Sequence, residues 1–192
     1  IPSGETASYR SNPYKISEFT LQRKDPQYVP NAKAAQAFEK ARLAGDAATA
    51  RKFYSVLQAV GVQADDPEVL SQLMKSTGLG SVLYAKRPGD GSAREYAASC
   101  QKVLGGLANI CIDYATKRYR SNCVNWGMLP FTYPDENIDL AVGEYVWLPG
   151  IRQAVADGAT EVTASVISAD GTKAHEMKLE LKDVTESEKK IL

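Results

Sequence analysis

The stretch Ser81 to Ser99, SVLYAKRPGDGSAREYAAS, decides the fold. SVLYA is a short apolar run suited to a buried strand. It leads into a turn holding two glycines, an acid, a serine and an arginine, and the turn opens a run of helix-forming residues. Strand, glycine-rich turn, helix is the order of anion-binding α/β units, where the first N–H groups and the dipole of the helix favour negative charge. Ser92 and Glu95 have the Ser-x-x-Glu spacing of a capping box. A cap accounts for that pair but for neither Arg94 nor the two glycines. Gly89 and Gly91 let the backbone approach whatever sits above the helix, and Arg94 adds a forked donor suited to a carboxylate. In such a positive field a serine alkoxide is stabilised, so Ser92 can remove a carbon-bound proton next to a carboxylate.

Working outward, LANICI (107–112) reads as a second buried strand and DYATKRYRSNCVNWG (113–127) as a helix ending near Asn125 to Gly127. Two strands bracketing a helix predict a parallel βαβ crossover. Lys117, Arg118 and Arg120 form a basic run read as a solvated helix face. EVTASVIS (161–168) and HEMKLELK (175–182) flank the turn ADGT, a β-hairpin pattern that puts His175, Met177, Leu179 and Leu181 on one buried face. The expected class is therefore α/β with a mixed sheet flanked by helices. The end, ESEKKIL, reads as a loose tail.

Upstream, residues 1–30 carry four prolines and little periodicity, which predicts an extended, loop-rich arm with one turn around Ile16 to Leu21. AKAAQAFEKARLAG (32–45) and DAATARKFYSVLQAVG (46–61) predict a helical hairpin lying on something apolar, with Asp46 as a cap and Gly61 as a stop. DDPEVLSQLMKSTGLG (65–80) gives a third helix, with Pro67 in its first turn and Gly78 at its end.

The 23 basic and 23 acidic residues cancel, so no global field draws the chain to DNA or to an acidic membrane surface. No apolar run approaches the roughly 18 residues of a membrane helix. Cys100, Cys111 and Cys123 are an odd set without a C-x-x-C pair, which argues against a disulfide framework or a zinc site. They read as buried structural thiols in a reducing compartment, the cytoplasm. The chain begins IPSGE without a methionine and reads as a piece of a longer product.

GDGSAREYAA (89–98) together with RYRSNCVNWGMLPF (118–131) resembles the C-terminal swivelling domain of the aconitase superfamily, the iron–sulfur hydro-lyases. The family pattern is Gly-x-Gly-Ser-Ser-Arg-Glu-His, followed about one βα unit later by Asn-x-x-Asn-x-Gly-x-Leu-Pro. YRSNPYKISEF (9–19) resembles a further segment, Arg-Ser-Asn-x-x-x-Ile-Ser-Glu-Phe, and IPSGE the Pro-Ala-Gly before it. The resemblance implies one swivelling β/β/α domain over residues 1–192, a fragment of a larger chain, with a helical insertion at about 32–61. It implies Ser92 as the base that exchanges the substrate's carbon-bound proton, Arg10 and Arg94 as carboxylate ligands, and Gly91 and Ala93 as further substrate contacts. Gly89, Asp90 and Gly91 would shape the turn, and Asn122, Asn125 and Gly127 would order the helix end behind it.

The substrate implied is a di- or tricarboxylic hydroxy acid. The partners implied are the N-terminal domains of the same protein, which hold a [4Fe–4S] cluster on three cysteines that include a C-x-x-C pair. Cys100, Cys111 and Cys123 have the wrong spacing, so this chain is expected to bind no metal of its own. Two departures stand out: Ala93 replaces the pattern's second serine, and Tyr96 its histidine. Two rival readings follow, a separate small subunit like that of isopropylmalate isomerase, and a carboxylate-binding module that has lost turnover.

Overall fold

The computed structural model describes residues 1–2 and 4–192. Ser3, inside the IPSGE segment, lies outside the described residues. SVLYA forms strand β1 (Ser81–Ala85), the glycine-rich turn leads into helix α5 (Arg94–Val103), and LANICI falls in β2 (Gly106–Cys111). Helix α6 (Lys117–Asn125) then returns the chain to β3 (Leu129–Thr132). These three strands are parallel, with Ala85 opposite Cys111 and Cys111 opposite Thr132. The predicted crossover is present.

The hairpin is β5 (Glu161–Ile167) and β6 (Ala174–Glu180), antiparallel from Glu161 opposite Glu180 to Ile167 opposite Ala174. β6 joins the parallel half through Thr132 opposite Glu180, and β4 (Tyr145–Trp147) pairs with β5, giving one mixed sheet in the order β1-β2-β3-β6-β5-β4. On one face Ile110, Phe131, Val166 and Leu179 are fully buried beside Val155 of α7 (Ile151–Ala156). On the other, Cys111 packs with Ala98 of α5 and with Tyr119 and Cys123 of α6.

The predicted helical hairpin is α2 (Tyr28–Leu43) and α3 (Ala47–Tyr54), followed by a 3₁₀ segment, Ser55–Val60, and by α4 (Pro67–Ser76). Asp46 caps α3 through the Thr49 N–H, and Gly61 closes the 3₁₀ segment in the left-handed region at φ +82°. The apolar surface beneath is Ile167, Tyr145 and Trp147 of the sheet. α4 ends at Ser76 with Thr77 as its C-cap, so Gly78 follows its end as expected, and two side chains bond carbonyls there. Tyr54 OH donates to Thr77 O at 2.6 Å and Arg42 Nη1 to Met74 O at 2.6 Å. Arg42 also grips Glu39 with two bonds of 2.7 and 2.6 Å, while Glu39 Oε2 accepts from Leu79 N–H at 2.9 Å.

Burial opposes ionisation of Glu39, but the bonds from Arg42 and Leu79 outweigh it and hold its pKa below the ordinary 4.5. A carboxyl with a lowered folded pKa contributes stability that is present above its unfolded pKa and is lost as pH falls through the folded one. Thermal melts between pH 6 and 3 should therefore show a steeper loss below about pH 4.5 in the wild type than in Glu39→Gln. Parallel curves would mean that this pair carries no pH-dependent stability.

Four expectations are corrected. Residues 1–30 are not an extended arm: a 3₁₀ turn (Ala7–Tyr9) leads to helix α1 (Pro13–Ser17), and α2 already begins at Tyr28. Asn12 caps α1 by accepting from Lys15 N–H at 3.0 Å, Pro13 occupies the first turn, and Ile16 is buried. Pro30 is tolerated because the first-turn N–H groups of a helix have no partner to lose. His175 is not a core residue. It sits half-exposed near the start of β6, with Nε2 3.1 Å from Asp139 O, because the buried stretch of that face begins only at Met177. The tail is not loose either: Thr185 and Glu188 form a capping box on α8 (Glu186–Lys189), and Glu188 meets Arg120 at 3.2 Å. Arg120 also donates to Lys182 O at 2.9 Å, so of the basic run only Lys117 and Arg118 are solvated.

Candidate active site

The turn after β1 is fixed by the loop after β2. Ile112 N–H and Asp113 N–H donate to Lys86 O (3.1 and 3.3 Å), and Ala115 N–H donates to Pro88 O (3.0 Å). The Gly89 carbonyl accepts twice, from Thr116 Oγ1 at 3.1 Å and from Arg94 Nε at 3.0 Å. Thr116 also caps α6, accepting from Tyr119 N–H at 3.2 Å. Gly89 has φ +94°, and a Cβ built there would lie 2.4 Å from Tyr119 Cβ. Glycine is thus dictated by the turn's seat on α6. At Gly91 a Cβ would meet nothing within 4 Å, so no neighbour within this chain requires glycine there.

The Ser92–Glu95 capping box does not form. α5 starts one residue later than that spacing predicts, with Ala93 at the cap position and no side-chain cap bond. Glu95 instead turns to α6, where it accepts from Asn122 Nδ2 and, at 2.7 Å, from Trp126 Nε1. Two side-chain donors outcompete one backbone N–H for the same carboxylate. In consequence Ser92 is exposed and its hydroxyl is not consumed in capping. Arg94 is half-buried and anchored by Nε, which leaves the terminal nitrogens of its fork pointing away from that bond.

Arg10 comes from a different part of the chain. α1 packs against α5, and the Arg10 guanidinium carbon lies 5.9 Å from the centre of the Tyr96 ring. Arg10, Ser92, Ala93 and Arg94 are thereby gathered around the first turn of α5. His175 is not among them. Glu180 pairs with Thr132 at the sheet edge where the two turns lie, and His175 is five residues further along, on the order of 17 Å toward the opposite edge.

The cysteines do not suit a metal. They lie on three elements, all buried, and among the described residues no cluster of three His, Cys, Asp or Glu could hold a metal ion. Burial pushes the thiols up, to about 11 for Cys100, about 12 for Cys111 and about 11 for Cys123, which disfavours the thiolates a cluster requires. With an aromatic disulfide reagent at pH 8, the folded chain should show none of its three thiols reacting within minutes, and all three after addition of denaturant. One fast thiol in the folded state would contradict this burial.

A cleft of about 370 Å³ adjoins α6, lined by Lys117, Arg120, Thr132, Glu180 and Lys182. Lys182 pairs with Glu180 at 2.8 Å and Arg120 with Glu188, so its charges are largely answered within the chain. Ser92 is not in that cleft. It stands on open surface.

The crossover and the paired turns define an α/β fold whose glycine-rich turn, with the freed serine, lies at the carboxyl edge of its first strand. Residues 23–136 match the family described as the aconitase C-terminal domain, and the chain belongs to it. Ser92, Ala93 and Arg94 lie within that match, and Arg10 before it. Aconitate hydratase A of Bradyrhizobium diazoefficiens is 34% identical over 88 residues, which are 44% of this chain and 10% of that protein. The chain therefore spans about a tenth of the curated relative it matches. Among the described residues no helix is long and apolar enough to cross a membrane.

Proposed function

We propose that this chain is the swivelling domain of an aconitase-like iron–sulfur hydro-lyase acting on a di- or tricarboxylic hydroxy acid. The observation that carries the reading is the Ser92 hydroxyl, exposed and unused by the helix cap, next to an anchored Arg94 at the start of the helix whose Tyr96 ring meets Arg10. Arg94 and Arg10 bind substrate carboxylates, and the backbone at Gly91 and Ala93 lies against the substrate. Ser92 Oγ, as alkoxide, takes the proton from the carbon beside a carboxylate. The electron pair left behind forms the C=C bond as hydroxide departs from the adjacent carbon. In the hydration direction Ser92 returns the proton. Positive potential from the α5 amide groups and from Arg94 stabilises the alkoxide.

This chain's residues do not fit the iron–sulfur cluster, which the reading assigns to preceding domains of the same protein. The open surface around Ser92 supports that division, since a water-exposed turn would need a second domain to shield the reaction.

The test uses the full-length protein with its cluster reconstituted anaerobically, following hydration of cis-aconitate and related unsaturated acids by loss of their conjugated absorbance. Turnover of at least one acid is expected. Silence across the whole panel would overturn the reading and favour a carboxylate-binding module without turnover.

A further inference from the structure

Tyr96 is the third residue of α5 and half-buried, and Arg10 is exposed. The backbone around Arg10 is held firmly. Tyr9 stacks on Phe19 with ring centres 5.6 Å apart, Asn12 caps α1, and Ile16 is buried. The long side chain is not fixed by any of these. The acids of this segment are engaged elsewhere, Glu5 with Arg23 and Glu18 with Lys33, and the group that meets the Arg10 guanidinium is the Tyr96 ring.

We propose that Tyr96 is a positioning residue whose ring serves as the platform that presents Arg10 to a carboxylate at the start of α5. This rests on the reading above, in which Arg10 binds substrate. An aromatic face attracts the cation while leaving its in-plane N–H groups free for a carboxylate, whereas an acidic partner would occupy them. It also restricts the rotamers of a flexible side chain before substrate arrives, which lowers the cost of ordering it on binding. The phenol oxygen plays no part in this, so phenylalanine should serve as well as tyrosine.

The experiment uses the full-length protein with Tyr96→Leu and Tyr96→Gln, which remove the ring, and Tyr96→Phe, which keeps it. One readout needs no activity: labelling of Arg10 by phenylglyoxal, followed by peptide mass spectrometry against exposed Arg51 in the same digest. The ring shields one face of the guanidinium, so its loss should speed Arg10 labelling about two- to fivefold, with Tyr96→Phe at the wild-type rate. The second readout is kinetic. KM for the acid turned over should rise by a similar factor in the ringless variants with little change in kcat, and Tyr96→Phe should restore it.

Arg10 labelling unchanged in the ringless variants would overturn the platform, whatever happens to the kinetics. A loss confined to kcat would overturn it too, since Tyr96 would then act through another group. Faster labelling in a protein whose wild type turns over no acid would uphold the platform and sink the hydro-lyase reading.

Discussion

Ser92→Ala in the reconstituted full-length protein should lower turnover by about 10²–10⁴-fold, the range that a positioned proton-transfer group contributes. The melting temperature should stay within a degree or two of wild type. That pairing follows from the site: Ser92 is exposed and does not cap α5, so removing its hydroxyl breaks no structural bond. Had the capping box formed, the same change would cost about 1 kcal/mol of helix stability and the two effects would be confounded. Substrate affinity should fall much less than turnover, because the proposed reading has the arginines, not Ser92, hold the carboxylates. A folded, cluster-bearing variant that keeps its rate would remove Ser92 from the chemistry.

Gly89→Ala should damage structure and activity together. Its φ of +94° is one that a side chain occupies only with strain, and the new methyl would lie 2.4 Å from Tyr119 Cβ on α6. Backbone strain of roughly 1–3 kcal/mol adds to overpacking of similar size. A total near 3 kcal/mol corresponds to a fall of about 6–12 °C in melting temperature for a chain of this length. Relief requires the turn to lift from α6, which displaces Ser92 and Arg94 and should reduce turnover beyond what the stability loss explains. Gly91→Ala is the contrast: with open space around its Cβ position, it should melt like wild type. If Gly89→Ala also melts like wild type, the seat of the turn on α6 is wrong.

The central unit, from β1 to α6, is legible in the sequence because its strands are short, mostly apolar runs and its helices lie between them, although the start of α5 falls one residue later than its pattern predicts. The β5–β6 hairpin was legible through its alternation and its Asp-Gly turn. The short elements were not. α1 has five residues and β4 three, too few to show either period, and the burial of Ile16 depends on packing against the distant α5 rather than on local pattern. At the site, the presence of Ser92 and Arg94 could be read, but the state of Ser92 could not. The pattern offered Glu95 a local partner, whereas its real ones, Asn122 and Trp126, lie 27 and 31 positions on. Thr116 shows the same limit. Its place before a helix marks it as a cap, while its bond to Gly89 O spans 27 residues.

A carbonyl oxygen has two lone pairs, and those of Gly89 are claimed by the first residue of α5 and by the cap of α6. Positions 89, 94 and 116 therefore form a single hydrogen-bonded unit. A change at Thr116 should leave the Gly89 carbonyl to Arg94 alone and, on the proposed reading, alter the angle at which that fork meets a carboxylate. On the proposed reading, the grip on an acid is thus adjustable at a residue that touches neither Ser92 nor the acid.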